Sequence, residues 1–227
     1  MIEAVAFCPQ APALVPEVGR GLDSELDEVR AESRQAIRDI ATGGRRLVVI
    51  GSGAQTRRHD PSARGTFAGF GVPLTLGLGA DGPGPVELPP SLTTAAWLLR
   101  DALGPGCGAS GWTAGTDTTA LELDHDAPTA LLVVGDGSAC RSEKAPGYLH
   151  PRAAERDAIA ADALRCGEGD RLHAWPDLDD ELLVAGSRAW EAAAWELEAV
   201  SYEAELRYEG APFGVGYFVA TWTASRR

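Results

Sequence analysis

The sequence predicts an α/β protein: a mixed, largely parallel central sheet with helices on both faces. Three observations predict it. Two apolar runs, Leu47-Val48-Val49-Ile50 and Ala130-Leu131-Leu132-Val133-Val134, are too short for helices. Their Val and Leu content suits strands buried on both faces. Each run breaks at glycine, in Gly51-Ser52-Gly53 and in Gly135-Asp136-Gly137, and opens into a polar loop. Segments of helical spacing alternate with the strands, as parallel pairing requires.

In order, Ile2 to Phe7 reads as a first strand, leaving through the proline-stiffened Cys8-Pro9-Gln10-Ala11-Pro12. Ser24 to Ala41 reads as an amphipathic helix with Leu26, Val29, Ala36, Ile37 and Ile40 on one face. Ser24 with Asp27 suggests a capping pair, and Gly43 closes the helix. Leu47 to Ile50 is the second strand. Residues Pro61 to Pro90 are rich in Gly and Pro, and they predict a long excursion holding one strand, Val72 to Leu78. Inside it, Gly77 to Gly82 matches G-x-G-x-x-G. Pro83-Gly84-Pro85 follows, so no helix opens there and the match carries no dinucleotide chemistry.

Ser91 to Leu103 predicts a second helix, and Thr119 to Leu123 a strand. The central run follows. After Pro151 comes a helix through Leu164, stopped by Gly167. Asp177 to Ala185 reads as a short helix, and Ser187 as the cap of another running through Trp190, Ala194, Leu197 and Val200. Ala204 to Tyr208 and Phe213 to Thr223 predict a terminal hairpin around Glu209-Gly210-Ala211-Pro212.

The 227 residues fit one α/β domain spanning 1–227, large enough to bury a full core. The net charge of −13 argues against nucleic acid as a partner, because nothing offsets phosphate repulsion. No apolar run reaches membrane-spanning length, and Met1-Ile2-Glu3-Ala4 does not begin a leader, so the expected address is cytoplasmic. Cys8, Cys107, Cys140 and Cys166 form no C-x-x-C pair and read as free thiols of a reducing compartment.

Polar residues gather where the central run ends: Asp136, Ser138, Cys140, Arg141, Glu143, Lys144, Tyr148 and His150. In open α/β sheets ligands bind at the carboxyl ends of the strands. The functional site is therefore expected here, beside the exits that hold Gln10 and Ser52.

Three stretches carry a family resemblance: Phe7 to Gly19 (FCPQAPALVPEVG), Leu47 to Gly53 (LVVIGSG), and Leu131 to Arg141 (LLVVGDGSACR) followed by the helix with Asp157. Together with Ala211 to Tyr217 (APFGVGY), they resemble the catalytic subunit of class III extradiol ring-cleavage dioxygenases and their LigB-like relatives, in order over nearly the whole chain. The resemblance implies that fold and a non-haem iron at the strand ends. The family loops read roughly P-H-x-P, S-P-H and G-D-x-S-H, since imidazoles suit Fe(II) and leave positions for catechol oxygens and dioxygen. Here the corresponding positions hold Gln10, Gly53 and Ala139, the last beside Cys140. The resemblance thus implies the cleft with a degenerate iron site and no cofactor.

Three functional readings follow. In the first, the cleft binds a small anionic or aromatic molecule, lined by Gln10, Ser52, Asp136, Ser138, Arg141, Lys144 and Tyr148. Arg141, Lys144 and Arg152 in one loop and Arg57 and Arg58 after another strand would supply guanidinium forks and charge; the plainer account is surface ion pairing. In the second, Asp136, Glu143, His150 and His59 hold Fe(II) or another divalent metal for a ring-cleaving dioxygenase or a hydrolase; the plainer account makes His150 a helix cap and Asp136 a turn cap. A nucleophilic Ser138 or Cys140 lacks a base placed by sequence. In the third, the chain is a non-catalytic scaffold, associating as a homodimer.

Overall fold

Every residue of the run Thr129–Val134 is buried, and this strand is the middle of the molecule. The computed structural model describes residues 1–79, 82–117, 120–124, 126–198 and 200–225. The strands are β1 (Ile2–Cys8), β2 (Arg46–Ser52), β3 (Arg57–Arg58), β4 (Arg64–Thr66), β5 (Thr75–Gly77), β6 (Ser110–Ala114), β7 (Thr129–Val134), β8 (Tyr202–Gly210) and β9 (Tyr217–Ala224). The helices are α1 (Asp23–Ile40), α2 (Pro90–Leu103), α3 (Ala153–Cys166), α4 (Pro176–Glu181) and α5 (Ser187–Leu197). Among the described residues the large sheet runs β3-β6-β2-β7-β1-β9-β8. β6, β2, β7 and β1 are parallel, whereas β9, β8 and the short β3 run antiparallel to their neighbours. β4 and β5 form a separate ribbon in the long excursion.

Alternation along the strands builds two layers of core. Ala4, Ala6, Val49, Leu132 and Val134 face α1 and α2, meeting Leu26, Val29, Ile37, Leu92 and Leu99. Val5, Phe7, Val48, Ile50, Leu131 and Val133 face the other way, meeting Leu164, Trp190 and Leu197 of α3 and α5. Helices therefore cover both faces. None of the described helices is long and apolar enough to cross a membrane.

Several local expectations change. α1 begins at Asp23, so Ser24 lies inside the first turn; its hydroxyl bonds Glu25 at 2.5 Å and caps nothing. Asp27 instead pairs with Arg30 at 3.3 Å. Ser187 likewise lies inside α5, after Gly186, and makes no side-chain cap bond; α5 ends at Leu197, short of Val200. α4 ends at Glu181, because Leu183 takes a left-handed backbone (φ 52°) that no helix continues. The excursion holds two short strands rather than the one expected: Thr75–Gly77, shorter than 72–78, pairs antiparallel with Arg64–Thr66.

The strand expected at 119–123 is instead Ser110–Ala114; residues 120–124 form no strand, and Thr119 lies outside the described residues. Gly111 disguises it. A Cβ there would collide with Leu78, so the glycine serves close packing, not a turn. Elsewhere the pattern holds: Gly167 closes α3 with φ 73°, and Pro90 occupies the first turn of α2, where its missing N–H costs nothing.

Candidate functional site

The register puts three chain exits at one rim. Cys8 of β1 and Gly51 of β2 both sit level with Val134 of β7. Gln10, Ser52 and Asp136 therefore leave three adjacent parallel strands within two residues of a common level, with β7 in the middle. Gly135 has no side chain because there is no room for one: a Cβ would lie 2.5 Å from Gly186 Cα and 2.9 Å from Trp190 Nε1. The start of α5 thus rests directly on the end of β7, and the Gly186 N–H donates to the Asp136 carbonyl at 2.8 Å.

Asp136 is 8% exposed. The Gln10 N–H donates to its Oδ1 at 2.9 Å, and the Ala11 N–H also serves the carboxyl. These bonds favour the ionised form, but burial wins and pushes the carboxyl up to about 7. Tyr217, 3% exposed at the start of β9, feels that charge; burial first, and Asp136 second, hold its phenol far above the ordinary range. Gln10 spends its amide N–H on Ala185 O at 3.4 Å, leaving Oε1 buried with no hydrogen-bond partner. Ser52 Oγ is buried and unpartnered too, while the Ser52 carbonyl accepts from Ser91 Oγ at 2.7 Å.

The other sequence candidates lie elsewhere. Ser138 is fully buried; its hydroxyl donates to Leu182 O at 2.9 Å and accepts from the Cys140 N–H at 3.1 Å. Cys140, 1% exposed, lies against Gly147 O. Both brace the loop, and neither is open to a substrate. Arg141 bonds Asp157 at 2.6 Å and edges a shallow groove of about 230 Å³ with Leu149, His150, Pro151, Ala153 and Ala154. Lys144, Glu143 and Tyr148 stand exposed on the outer loop, Tyr148 with a left-handed backbone (φ 60°). Arg57 and Arg58 form β3, at the opposite edge of the sheet from the 214–216 turn that Arg141 touches through its N–H. The basic residues therefore do not converge on the rim.

The alternative metal set is scattered as well. His150 pairs with Glu181 at 3.0 Å, and its Nδ1 accepts the Arg152 N–H at 3.2 Å; that N–H precedes α3, whose N-cap Arg152 makes no side-chain cap bond, so the histidine is not the helix cap the sequence suggested. His59 is 4% exposed beside Thr113 near the β6 edge, its Nε2 3.2 Å from Thr113 Oγ1. Among the described residues no three His, Cys, Asp or Glu side chains gather as a metal would require; His125 lies outside them.

Two contributors escaped the sequence reading. Trp190 packs against Gly135 at the end of β7, and Tyr217 feels the Asp136 charge. The glycines of Gly214-Val215-Gly216 were the available signal: a Cβ at Gly216 would strike the Asp157 carboxylate, the Gly137 N–H donates to the Gly216 carbonyl, and the Gly216 N–H donates to the Ser138 carbonyl. Asp157 is the anchor, taking the Ser138 N–H at 2.8 Å and the Arg141 guanidinium together. Burial raises its pKa even so, against those two bonds.

Fold and register define an α/β protein with a large mixed sheet, in which buried polar groups of Gln10, Ser52 and Asp136 lie at the carboxyl ends of three adjacent parallel strands. No family model and no curated protein sequence matches the chain.

Proposed function

We propose that the chain is a divergent relative of the class III extradiol dioxygenases whose strand-end cleft binds a small molecule by hydrogen bonds, without iron. One observation carries the reading: Gln10 Oε1 and Ser52 Oγ are buried without partners on either side of Asp136, at the ends of three adjacent strands. Buried polar atoms are almost always satisfied, so two orphans at one rim mark a place where a ligand completes the bonding.

The donors present do not fit iron. The three family positions offer an amide and two residues with no ligating atom. Position 53 has no space for an imidazole, because even a Cβ would lie 2.7 Å from the Thr113 side chain. No redox step is therefore routed through this cleft.

The test has two arms. The protein is incubated anaerobically with Fe(II), desalted and offered protocatechuate in air; it is expected to retain no iron and consume no oxygen. One iron per chain with oxygen uptake would restore the dioxygenase. In the second arm, ligand-detected NMR against a mixed panel of amines, carboxylates, phenols and polyols is expected to find binding that Ser52→Ala weakens. No binder in the panel would end the proposal. Ser52→Ala removes only an unsatisfied hydroxyl, so its melting temperature is expected to equal or exceed that of the parent.

A further inference from the structure

Among the described residues, two other than glycine hold a left-handed backbone: Tyr148 (φ 60°) and Leu183 (φ 52°). Both carry large, mainly apolar side chains, and both stand in solvent, 61% and 49% exposed. The two segments lie side by side. A Cβ on Gly147 would come within 2.9 Å of Leu183 Cδ1, and His150 pairs with Glu181 at 3.0 Å. Leu149, 50% exposed, continues the patch.

Leu183 follows α4 where a helix turns left-handed to close, and the Val184 N–H reaches back to Asp179 O at 2.8 Å. Glycine or asparagine is usual there, since a larger residue sets its Cβ against the neighbouring carbonyl. A leucine bears that strain here and gains no burial from it. Strained backbone gathers at binding surfaces, where the surrounding structure holds it. Neighbouring apolar side chains left in solvent mark contact surfaces too. Strain and exposure thus fall on the same two residues.

The charge on the patch indicates what covers it. The loop 141–152 carries Arg141, Lys144 and Arg152 against one acid, Glu143. The turn beside it, 177–183, exposes Asp177, Asp180 and Glu181 and holds no basic residue. In a two-fold contact each copy offers the same face, so one loop meets the other copy's turn. Basic then faces acidic twice over, and the apolar side chains of the loop meet Leu183. Over the chain as a whole, with a net charge of −13, two copies repel. This patch offers both signs.

We infer that the chain forms a two-fold dimer in which Lys144, Tyr148 and Leu149 of each copy lie over Leu183 and the acidic turn of the other. So small an apolar centre suits a reversible dimer, not an obligate one. The inference stands apart from the strand-end reading and does not depend on it.

Sedimentation velocity at ~0.15 M salt, from ~2 to ~400 μM protein, is expected to show a monomer passing into a dimer with a Kd of ~10–100 μM. Tyr148→Asn with Leu183→Asn removes the apolar contact and relieves the backbone, because asparagine tolerates the left-handed region. That double variant is expected to raise Kd ~10-fold or more, and to melt no lower than the parent at a concentration where both are monomeric. Lys144→Glu sets an acid against the acidic turn, and is expected to raise Kd ~3-fold or more. Lys144 is exposed, so this variant decides the matter if the double one does not fold. A parent that stays monomeric over the whole range overturns the dimer, whatever other partner covers the patch. A dimer that forms equally well in the double variant and in Lys144→Glu overturns it as well, since the contact then lies on another face.

Discussion

At the scale of single residues, Asp136 makes stability depend on pH in a direction opposite to most carboxylates. Its folded pKa, about 7, lies above that of an unfolded aspartate, near 3.9. The folded chain thus holds the proton longer. The contribution is fully present at acid pH and is lost as pH climbs through about 7. Asp136→Asn is expected to melt several degrees above the parent at pH ~8 and to match it near pH ~4, by calorimetry across that range. His59 works the other way. Burial first, then Arg57, lowers its pKa, so it favours the folded state above the unfolded value and withdraws that support as the solution acidifies. The Arg156–Asp179 pair, 2% exposed on both sides, is bonded at 2.7 and 3.2 Å, with the guanidinium 5.3 Å from the Trp175 ring. Arg156→Ala strands a buried carboxylate and is expected to cost ~3–5 kcal/mol in urea unfolding.

At the scale of elements, the decisive contact is strand end against helix start. Gly135→Ala drives a methyl into Gly186 Cα, which is backbone and cannot swing aside. It is expected to cost ~1–3 kcal/mol by urea titration and to displace α5 from the rim. The sequence made the buried strands and amphipathic helices legible because their signal is periodic burial, which each segment carries in its own residues. It hid β6, since Gly111 and Gly115 look like turn residues and their purpose, close approach to Leu78 and Gln55, appears only once the chain has folded. Both serine caps misled for a related reason: α1 starts at Asp23, two residues before a cap at Ser24 would allow, and α5 starts at Ser187 itself, one residue too early. The placing of Gln10, Ser52 and Asp136 at one end of the sheet was legible because each stands at or just past a strand end. Arg141 and Ser138 were assigned to the same cleft by proximity in sequence. Their real partners, Asp157 and Leu182, come 16 and 44 residues later.

At the scale of the whole molecule, charge and edges matter most. Thirteen surplus negative charges repel one another, and raising salt from about 0.01 to 0.15 M shortens their reach from about 30 to 8 Å. The melting temperature is expected to rise over that interval. β8 closes one side of the sheet with Glu203, Glu205 and Glu209 exposed, charges that discourage pairing with another strand. Glu203→Val with Glu205→Val is expected to produce association that grows with concentration, read by light scattering.

The place of β7 has a consequence for how the chain is made. β1 and β2 never touch in the sheet; only β7 joins them, and it arrives more than seventy residues after β2 ends. A ribosome that has delivered the first hundred residues has released two greasy ribbons with no seat between them. Until the run at 129–134 clears the exit tunnel, the nascent chain keeps both strand edges raw, and a pause in translation there would be the hour of greatest need for a chaperone.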